Sequence, residues 1–388
     1  MRTIAILTGT RADFGLLRPL VEAVRDDPRL ELALVVSGSH LMAGRGGTIA
    51  EIEADSLPIA SRVPVWSGDD SPVAAASDTG KAVAAYAETL AALAPDLLVV
   101  LGDRLEALAM ALAATVLGVP VAHIHGGELT EGAMDDALRH AITKLSYLHF
   151  TTTDEHRARV LQLGEEPGRV YNLGAPVLDA MASLELLDAE ALAERFGVTI
   201  SDRTVLMTYH PAAFDVLPSS ELLQELLSAL ELLSDARLII TGSNSDIGSE
   251  EVREQLAEFV GAHPDTVDYV ESFGQLGYLS VMSLVSVVTG NSSSTVLEAP
   301  LLGIPSVLVG DRQAGRPISS SVLVPAPTRR DILAALERAL TPNFRLHAAE
   351  TESVFGAAGF ASRAVEILAT ADLPRPLRKH FVDLIDSE

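Results

Sequence analysis

The sequence predicts an α/β protein of two doubly wound lobes, each built on a parallel sheet. Short apolar runs alternate with segments of helical period along most of the 388 residues, the pattern of strand–helix–strand crossovers. The alternation restarts after Gly174-Ala-Pro176, and a chain of this length is long for one core but ordinary for two. Charged, hydroxyl and glycine residues collect directly behind the apolar runs, at what would be the carboxyl edge of a parallel sheet, where open α/β sheets bind ligands. The expected division is 1–175 for the first lobe, 176–355 for the second, and a helical tail over 356–388 that packs back on the first.

Residues 3–8 form the first buried strand, ended by Gly9, and Leu16, Leu17, Leu20, Val21 and Val24 give a helix from Phe14 to about Asp26 its apolar stripe. Between them Arg11, beside a helix N-terminus, suits a diphosphate, unless it is a surface arginine paired with Asp13. A second strand, Leu30 to Val36, runs into Ser37-Gly-Ser-His40, and the polar stretch Ala43-Gly-Arg-Gly-Gly47 suits an active-site loop before a short helix. A helix over 72–93, a strand from Asp96 into Asp103-Arg104, a helix over 105–117 and a strand into His123-Ile-His-Gly-Gly-Glu128 continue the pattern. These two strand ends bring Asp103 and Glu128 together, with Asp135, Asp136, Arg139 and His140 on the first turns of the next helix, 135–146. Carboxylates in such a place are candidate acids and bases, because burial and mutual repulsion push their pKa values apart. Singly, each residue also has a structural reading: an Asp-Arg ion pair, an Asp helix cap, a core histidine pair. A strand over 148–152, a helix over 154–163 and a strand near Val170 complete the lobe.

The second lobe runs from a strand Thr204 to Tyr209, ending in His210-Pro211, through helix 218–233 to a strand Ala236 to Thr241, ending in Gly242-Ser-Asn244-Ser-Asp246. Helix 249–261, strand 267–270, helix 275–284 and strand 285–289 follow, and then Gly290-Asn-Ser292-Ser293-Ser294 opens a helix that contains Glu298. Small residues let a backbone approach a phosphate, hydroxyls donate to it and a helix dipole favours it; a plain serine N-cap explains one of these serines and not three. A strand from Ile304 to Val309, a turn with Arg312 and Arg316, and a helix over 328–340 close the lobe, while Ala361, Val365, Ile367 and Leu368 give the tail its stripe. No GxGxxG or Walker loop occurs.

Composition narrows the function classes. A net charge of −25 argues against nucleic acid as a partner, so any phosphate site must be built locally from a few arginines and helix N-termini. With no cysteine, disulfides and thiolate chemistry are excluded. The segment Met1 to Gly9 has too short an apolar run for a signal peptide. The charge-free run from Ala107 to Ala122 holds Gly118 and Pro120 and falls short of the roughly 20 residues of a membrane span. The expected place is the cytoplasm, with no membrane partner.

Together Thr8-Gly-Thr-Arg11-Ala-Asp-Phe-Gly15, Leu101-Gly-Asp103-Arg104, His123-Ile-His-Gly-Gly-Glu128, Asp136-Ala-Leu-Arg-His-Ala-Ile-Thr-Lys144, Gly242-Ser-Asn-Ser-Asp246, Gly290-Asn-Ser-Ser-Ser294 with Glu298, and Gly310-Asp-Arg-Gln313 closely resemble the UDP-N-acetylglucosamine 2-epimerase family, from residue 4 to about 320. Arg11-Ala-Asp13 and Asp311-Arg-Gln313 are similar to its hydrolysing branch, that of sialic acid biosynthesis. The resemblance implies a GT-B-like pair of Rossmann-type lobes with parallel sheets and an interdomain cleft, the first lobe carrying the acid/base residues and the second binding the nucleotide. It implies that a carboxylate removes the C2 proton of UDP-N-acetylglucosamine while UDP leaves C1. Water then adds across the double bond of 2-acetamidoglucal, with a proton delivered to the opposite face of C2. Free N-acetylmannosamine and UDP are the expected products; UDP-N-acetylmannosamine, or the same reaction on a related sugar such as UDP-diacetylbacillosamine, is the alternative.

Carried over motif by motif, the resemblance makes Asp103, Glu128 and Asp135 the acid/base set, with Asp136 a rival for Asp135 and His125 standing where some relatives carry Glu. Arg11, His210, Ser292, Ser293, Ser294 and Arg316 then hold the diphosphate, Glu298 the ribose hydroxyls, and His40, Arg104, Arg139 and Asn244 complete the substrate contacts. No metal and no cofactor are implied, and a homodimer or homotetramer is the expected assembly. The chain departs from the family pattern at His210-Pro-Ala-Ala-Phe214, and at Ala314 and Ile318, where relatives often carry basic residues; thinner charge there suits release of UDP.

Rival classes compete with this reading. A metal hydrolase would use His123, His125, His140 and Asp103 as ligands, but leaves the serine loop without a role. A two-lobed glycosyltransferase needs an acceptor and no C2 base, and a non-catalytic nucleotide-sugar sensor does not need the carboxylates.

Overall fold

A computed structural model describes residues 1–42, 48–69, 71–130, 134–182, 184–211, 217–242, 249–374 and 377–383. The loop 43–47 and the stretch 243–248, which holds Asn244, lie outside the described residues. The chain divides into two compact units, Met1–Ser183 with Phe355–Glu388, and Leu184–Val354.

The first unit runs β1 (Arg2–Thr8), α1 (Arg11–Asp26), β2 (Leu30–Ser37), α2 (Ile49–Ala54), β3 (Ile59–Val63), α3 (Pro72–Leu93), β4 (Leu97–Leu101), α4 (Leu105–Leu117), β5 (Val121–Ile124), α5 (Met134–Leu145), β6 (Leu148–Thr151), α6 (Asp154–Gln162), β7 (Val170–Asn172) and α7 (Val177–Ala182). Among the described residues its sheet has seven strands in the order β3-β2-β1-β4-β5-β6-β7, and every pairing is parallel. Both faces are covered, which is why these strands read as continuous apolar runs. Ile4, Ile6, Val36 and Val99 pack on one side with Leu17 and Val21 of α1, while Ala5, Leu7, Val35 and Val100 pack on the other with Ala107 and Met110 of α4 and Tyr86 of α3. Each large apolar side chain buried this way is worth about 1.5–3 kcal/mol. Helix α1 starts three residues before Phe14 because Thr10 caps it, its hydroxyl accepting from the Asp13 backbone N–H at 3.2 Å.

The second unit runs α8 (Ala189–Phe196), β8 (Thr204–Thr208), α9 (Ser219–Glu231), β9 (Arg237–Thr241), α10 (Ser249–Ala262), β10 (Val267–Val270), α11 (Gly274–Leu284), β11 (Val287–Gly290), α12 (Glu298–Leu301), β12 (Ser306–Leu308), β13 (Val322–Leu323), α13 (Arg329–Ala339) and α14 (Pro342–Glu350). Its described sheet is parallel throughout, in the order β10-β9-β8-β11-β12-β13. The serine run does not open a long helix. Ser293–Thr295 is a single 3-10 turn, and the helix that follows, α12, is only four residues long. A dipole that short adds little to an anion site, so any phosphate there relies on hydroxyls and backbone N–H groups.

The chain then returns to the first unit as α15 (Phe360–Thr370). Phe360, Ala364, Val365 and Leu368 join the core around α1, and Asp179 of α7 caps the helix by accepting from the backbone N–H groups of Gly359, Phe360 and Ala361. In each unit the strand order reverses once, between β1 and β4 and between β8 and β11, and ligands bind at the carboxyl ends beside such a reversal.

Candidate active site

In the first unit, β5 ends at Ile124 and His125 turns the chain at φ 68°, a left-handed conformation that costs a residue bearing a Cβ. Gly127 follows at φ +82, and a Cβ there would lie 2.2 Å from the carbonyl oxygen of His156 on α6. Glu128 is thereby held between two elements: its Oε1 lies 3.1 Å from His125 Nδ1 and accepts from Thr152 Oγ1 at 3.1 Å. Thr152 Oγ1 is in turn 2.7 Å from His156 Nδ1. Burial pushes the Glu128 carboxyl up, but the rings of His125 and His156 and the guanidinium of Arg139 outweigh it and hold it well below the usual carboxylate range. His125 Nε2 is buried and without a hydrogen-bond partner among the described residues.

Asp103 follows Gly102, the residue that turns β4 toward α4 at φ +75. It accepts from Arg139 Nη2, and Arg139 Nη1 donates to Thr130 Oγ1 at 3.1 Å. Arg139, on α5, is buried, and its Nε lacks a partner among the described residues. The two aspartates that open α5 have different surroundings. Asp136 accepts from the Thr130 N–H at 2.9 Å and lies 3.5 Å from His140 Nε2. Asp135 makes neither bond; burial, and then the charge of Asp103, raise its pKa.

Two sequence candidates have structural duties. His40 is buried, with Nε2 at 3.0 Å from Thr8 Oγ1 and Nδ1 at 2.7 Å from Thr48 Oγ1, and burial lowers its pKa to about 4. With both nitrogens at threonine hydroxyls, the ring is held in place behind the strand end. His123 is likewise buried, pushed down by burial to about 3, with Nε2 2.7 Å from Gly102 O and Nδ1 3.1 Å from Thr143 Oγ1. That removes it from the ligand set of the metal-hydrolase reading.

Arg11, Arg104 and Asp135 face a cleft of about 560 Å³ in the first unit, walled also by Trp66 and Met42. Arg11 is exposed and paired with Glu51 at 3.1 Å, and Arg104 lies 3.4 Å from Asp13. The sequence reading missed the floor of this cleft. Glu106, at the start of α4, is buried and accepts from Trp66 Nε1 at 2.8 Å; burial raises its pKa. It missed Thr152 and His156 as well, although a Thr-Thr pair behind a strand with a histidine three residues on is a legible signal of the same kind as the other strand ends.

In the second unit, Gly290 ends β11 at φ +119, and a Cβ there would lie 1.9 Å from Thr208 O. Asn291, fully buried, ties the two reversing strands together: its Oδ1 accepts from the His210 N–H at 2.8 Å and its Nδ2 donates to His210 O at 2.7 Å. Gln313 Nε2 donates to Asn291 O at 2.9 Å. The serines belong to a chain of hydroxyls: Ser294 Oγ is 3.0 Å from Ser292 Oγ and 2.7 Å from Tyr278 OH, which is 3.0 Å from Thr208 Oγ1. Ser293 stands outside this chain, half-buried. Glu298 Oε2 is buried without a partner among the described residues; burial raises the pKa of this carboxyl and the charge of Arg316 draws it back. No helix among the described residues is long and apolar enough to cross a membrane.

A parallel sheet whose order reverses once occurs in both units, which gives the chain a two-lobed α/β architecture of GT-B-like kind. The crystal structure of UDP-GlcNAc 2-epimerase from Neisseria meningitidis bound to UDP-GlcNAc has the same fold, with a TM-score of 0.76 over 95% of this chain and 99% of that one, at 17% identity. The family model described as UDP-N-acetylglucosamine 2-epimerase matches residues 22–369, and the chain belongs to that family. It is 30% identical to the GDP/UDP-N,N'-diacetylbacillosamine 2-epimerase (hydrolyzing) of Campylobacter jejuni, over 99% of each chain. It is 33% identical to the UDP-N,N'-diacetylbacillosamine 2-epimerase (hydrolyzing) of Legionella pneumophila, over 88% of this chain and 89% of that one.

Proposed function

We propose that the chain inverts C2 of UDP-N-acetylglucosamine and hydrolyses it, releasing N-acetylmannosamine and UDP. The observation that carries the mechanism is the opposed environment of two carboxyls around one strand end. Glu128 is held ionised by His125 and Thr152, while burial and Asp103 raise the pKa of Asp135. Groups pushed apart in this way are suited to be base and acid. Glu128 takes the C2 proton as the C1–oxygen bond breaks and UDP leaves with the bonding pair, giving 2-acetamidoglucal. Asp135 then delivers a proton to the opposite face of C2 while water bonds C1 through its oxygen and gives up one proton to the Asp135 carboxylate left behind. Asp103, fixed by Arg139, and His125, whose Nε2 is unengaged, complete the set, and the fixed positions of Asp136 make it a support for the loop at Thr130.

In this reading the second unit binds UDP through Ser292, Ser293, Ser294, His210 and Arg316, with Glu298 on the ribose and Asn244 and Arg11 adding contacts. Glu298 Oε2, which has no partner among the described residues, supports the ribose role, because a buried oxygen of this kind favours a ligand that brings hydroxyls. A second reading is favoured by the names of the Campylobacter and Legionella relatives: the same reaction on UDP-N,N'-diacetylbacillosamine. We place the enzyme in the cytoplasm as a homodimer or homotetramer; the exposed Leu112, Val116 and Leu117 of α4 support self-association. Incubation with each nucleotide sugar in D₂O, followed by NMR, tests the function. Free sugar with inverted C2, deuterated there, is expected; a mixture that stops at two UDP-sugars refutes hydrolysis, and no deuterium at C2 refutes epimerisation.

A further inference from the structure

We propose that Thr152 and His156 are the route by which Glu128 exchanges its proton. The inference rests on the reading of Glu128 as the base and adds two residues, neither of which belongs to the motifs that carry the family resemblance. Thr152 lies just behind β6 and His156 on the first turn of α6, and both are buried, 1% and 2% exposed. The Thr152 hydroxyl stands 3.1 Å from Glu128 Oε1 and 2.7 Å from His156 Nδ1, and it has one proton to give.

That single proton ties the two outer groups together. When Glu128 is a carboxylate, the hydroxyl donates to it and is itself free to accept from a protonated His156 Nδ1. When Glu128 holds a proton, its O–H donates to Thr152 Oγ1, and Thr152 turns its own proton toward a bare Nδ1. Two protons moving in step, one from Glu128 to Thr152 and one from Thr152 to His156, convert a carboxylic acid beside a neutral imidazole into a carboxylate beside an imidazolium. Total charge is unchanged and nothing is oxidised.

A base that has taken the C2 proton needs such an outlet, since otherwise the proton returns to the face of C2 it left. The alternative neighbour, His125, bonds the same carboxylate oxygen through Nδ1, but no second acceptor among the described residues lies beyond its Nε2. The ionisable groups that face the relay are His125 on the loop after β5, Arg139 on α5, and Glu155 and Arg159 on α6. Burial lowers the pKa of His156, and the charge of Glu128 opposes that shift. The relay is held rigid from behind, because Gly127 packs on the His156 carbonyl and Gly127 O accepts from Arg159 Nη1.

The variants Thr152→Val, which removes the hydroxyl and keeps the branched shape, and Thr152→Ser, which keeps the hydroxyl, test the relay by UDP release measured against pH. The expected result is a kcat at least tenfold lower in Thr152→Val with KM within twofold of native, a shifted limb in the pH profile of kcat, and recovery of both in Thr152→Ser. A Thr152→Val protein with kcat within threefold of native and an unmoved limb overturns the proposal. Histidine-labelled NMR on the native protein decides the geometry independently of turnover and of the folding of any variant. The neutral His156 ring should carry its proton on Nε2, which leaves Nδ1 bare to receive from Thr152; a neutral Nδ1–H tautomer, with no room for that proton, overturns the relay. Native protein that releases no UDP refutes the epimerase reading, while the tautomer still tells whether the hydrogen-bond chain exists.

Discussion

Replacing Gly127 by alanine tests how the loop after β5 holds its carboxylate. The new Cβ would lie 2.2 Å from the oxygen and 2.9 Å from the carbon of the His156 carbonyl, and 3.0 Å from Val160 Cγ2. Carbon–oxygen contacts settle at about 3.3–3.6 Å, so loop and helix must part by roughly 1 Å. The obstacle is backbone, which cannot swing aside as a side chain would. A left-handed φ adds about 1–2 kcal/mol for a residue with a Cβ, and overpacking adds about 1–3 kcal/mol more. For a unit of this size the sum corresponds to a fall in Tm on the order of 10 °C. A displacement of about 1 Å at a reacting group costs on the order of 10²-fold in rate. The control is Gly118→Ala at the end of α4, where φ is +72 but nothing lies within 4 Å, so only the backbone cost applies. Thermal melting and UDP release measured on both variants should separate them clearly. Equal losses in the two would show that the close approach of Gly127 to α6 does not hold Glu128.

Asp103→Asn and Glu128→Gln should each lower turnover by about 10²-fold with UDP affinity unchanged, as expected for loss of an acid or base; isothermal titration beside a rate assay checks both halves. Ser293→Ala should weaken UDP binding by the roughly 0.5–1.5 kcal/mol of one hydrogen bond, whereas Ser294→Ala interrupts the contact with Tyr278 and should lower stability first. Unchanged UDP affinity in Ser293→Ala would place the phosphate elsewhere. Away from the site, Glu165 is buried and bonded to Lys144, His149 and Lys379. Burial raises its pKa, but these partners outweigh it and bring it down to about 2. A carboxyl with a depressed folded pKa stabilises the protein above its unfolded pKa and loses that contribution as pH falls from about 4.5 toward 2. Urea midpoints of the native protein should drop through that window, and Glu165→Gln should flatten the drop; an equally steep fall in the variant would refute the assignment.

The alternation of apolar run and helical stripe was enough to place most elements to within a few residues, because strands covered on both faces carry no polar positions to blur them. The elements it omitted are those where that argument fails. Residues 59–63 form an edge strand with alternating exposure and an Arg at its fourth position, and 322–323 is only two residues long. Helix α14, 342–350, has scattered rather than striped apolar positions, with just Phe344 and Ala348 buried. The serine run was read as a helix start because the composition of a 3-10 turn and of an N-cap is the same; the break lies in the backbone of Leu297, at ψ −76, which composition does not encode.

The strand-end histidines show why spacing could gather the candidate residues but not divide their surroundings. His123 and His125 are two residues apart, which on a continuing strand would put both rings on one face and make a metal pair plausible. The strand stops at Ile124, however, and the left-handed turn at His125 breaks the alternation. His123 is thus spent on Gly102 O and Thr143, where it braces the turn that presents Asp103, and His125 is turned to Glu128. The same holds for the adjacent aspartates of α5: neighbours on a helix point about 100° apart, so one is drawn to Thr130 and the other is left beside Asp103. A histidine that braces a turn and a histidine that pairs with Glu128 have the same letter and the same neighbourhood in sequence. The difference is one φ angle, at a residue followed two positions on by Gly127, which lets the loop lie flat on α6, and that is why Gly127→Ala is expected to disturb Glu128 while leaving His123 in place.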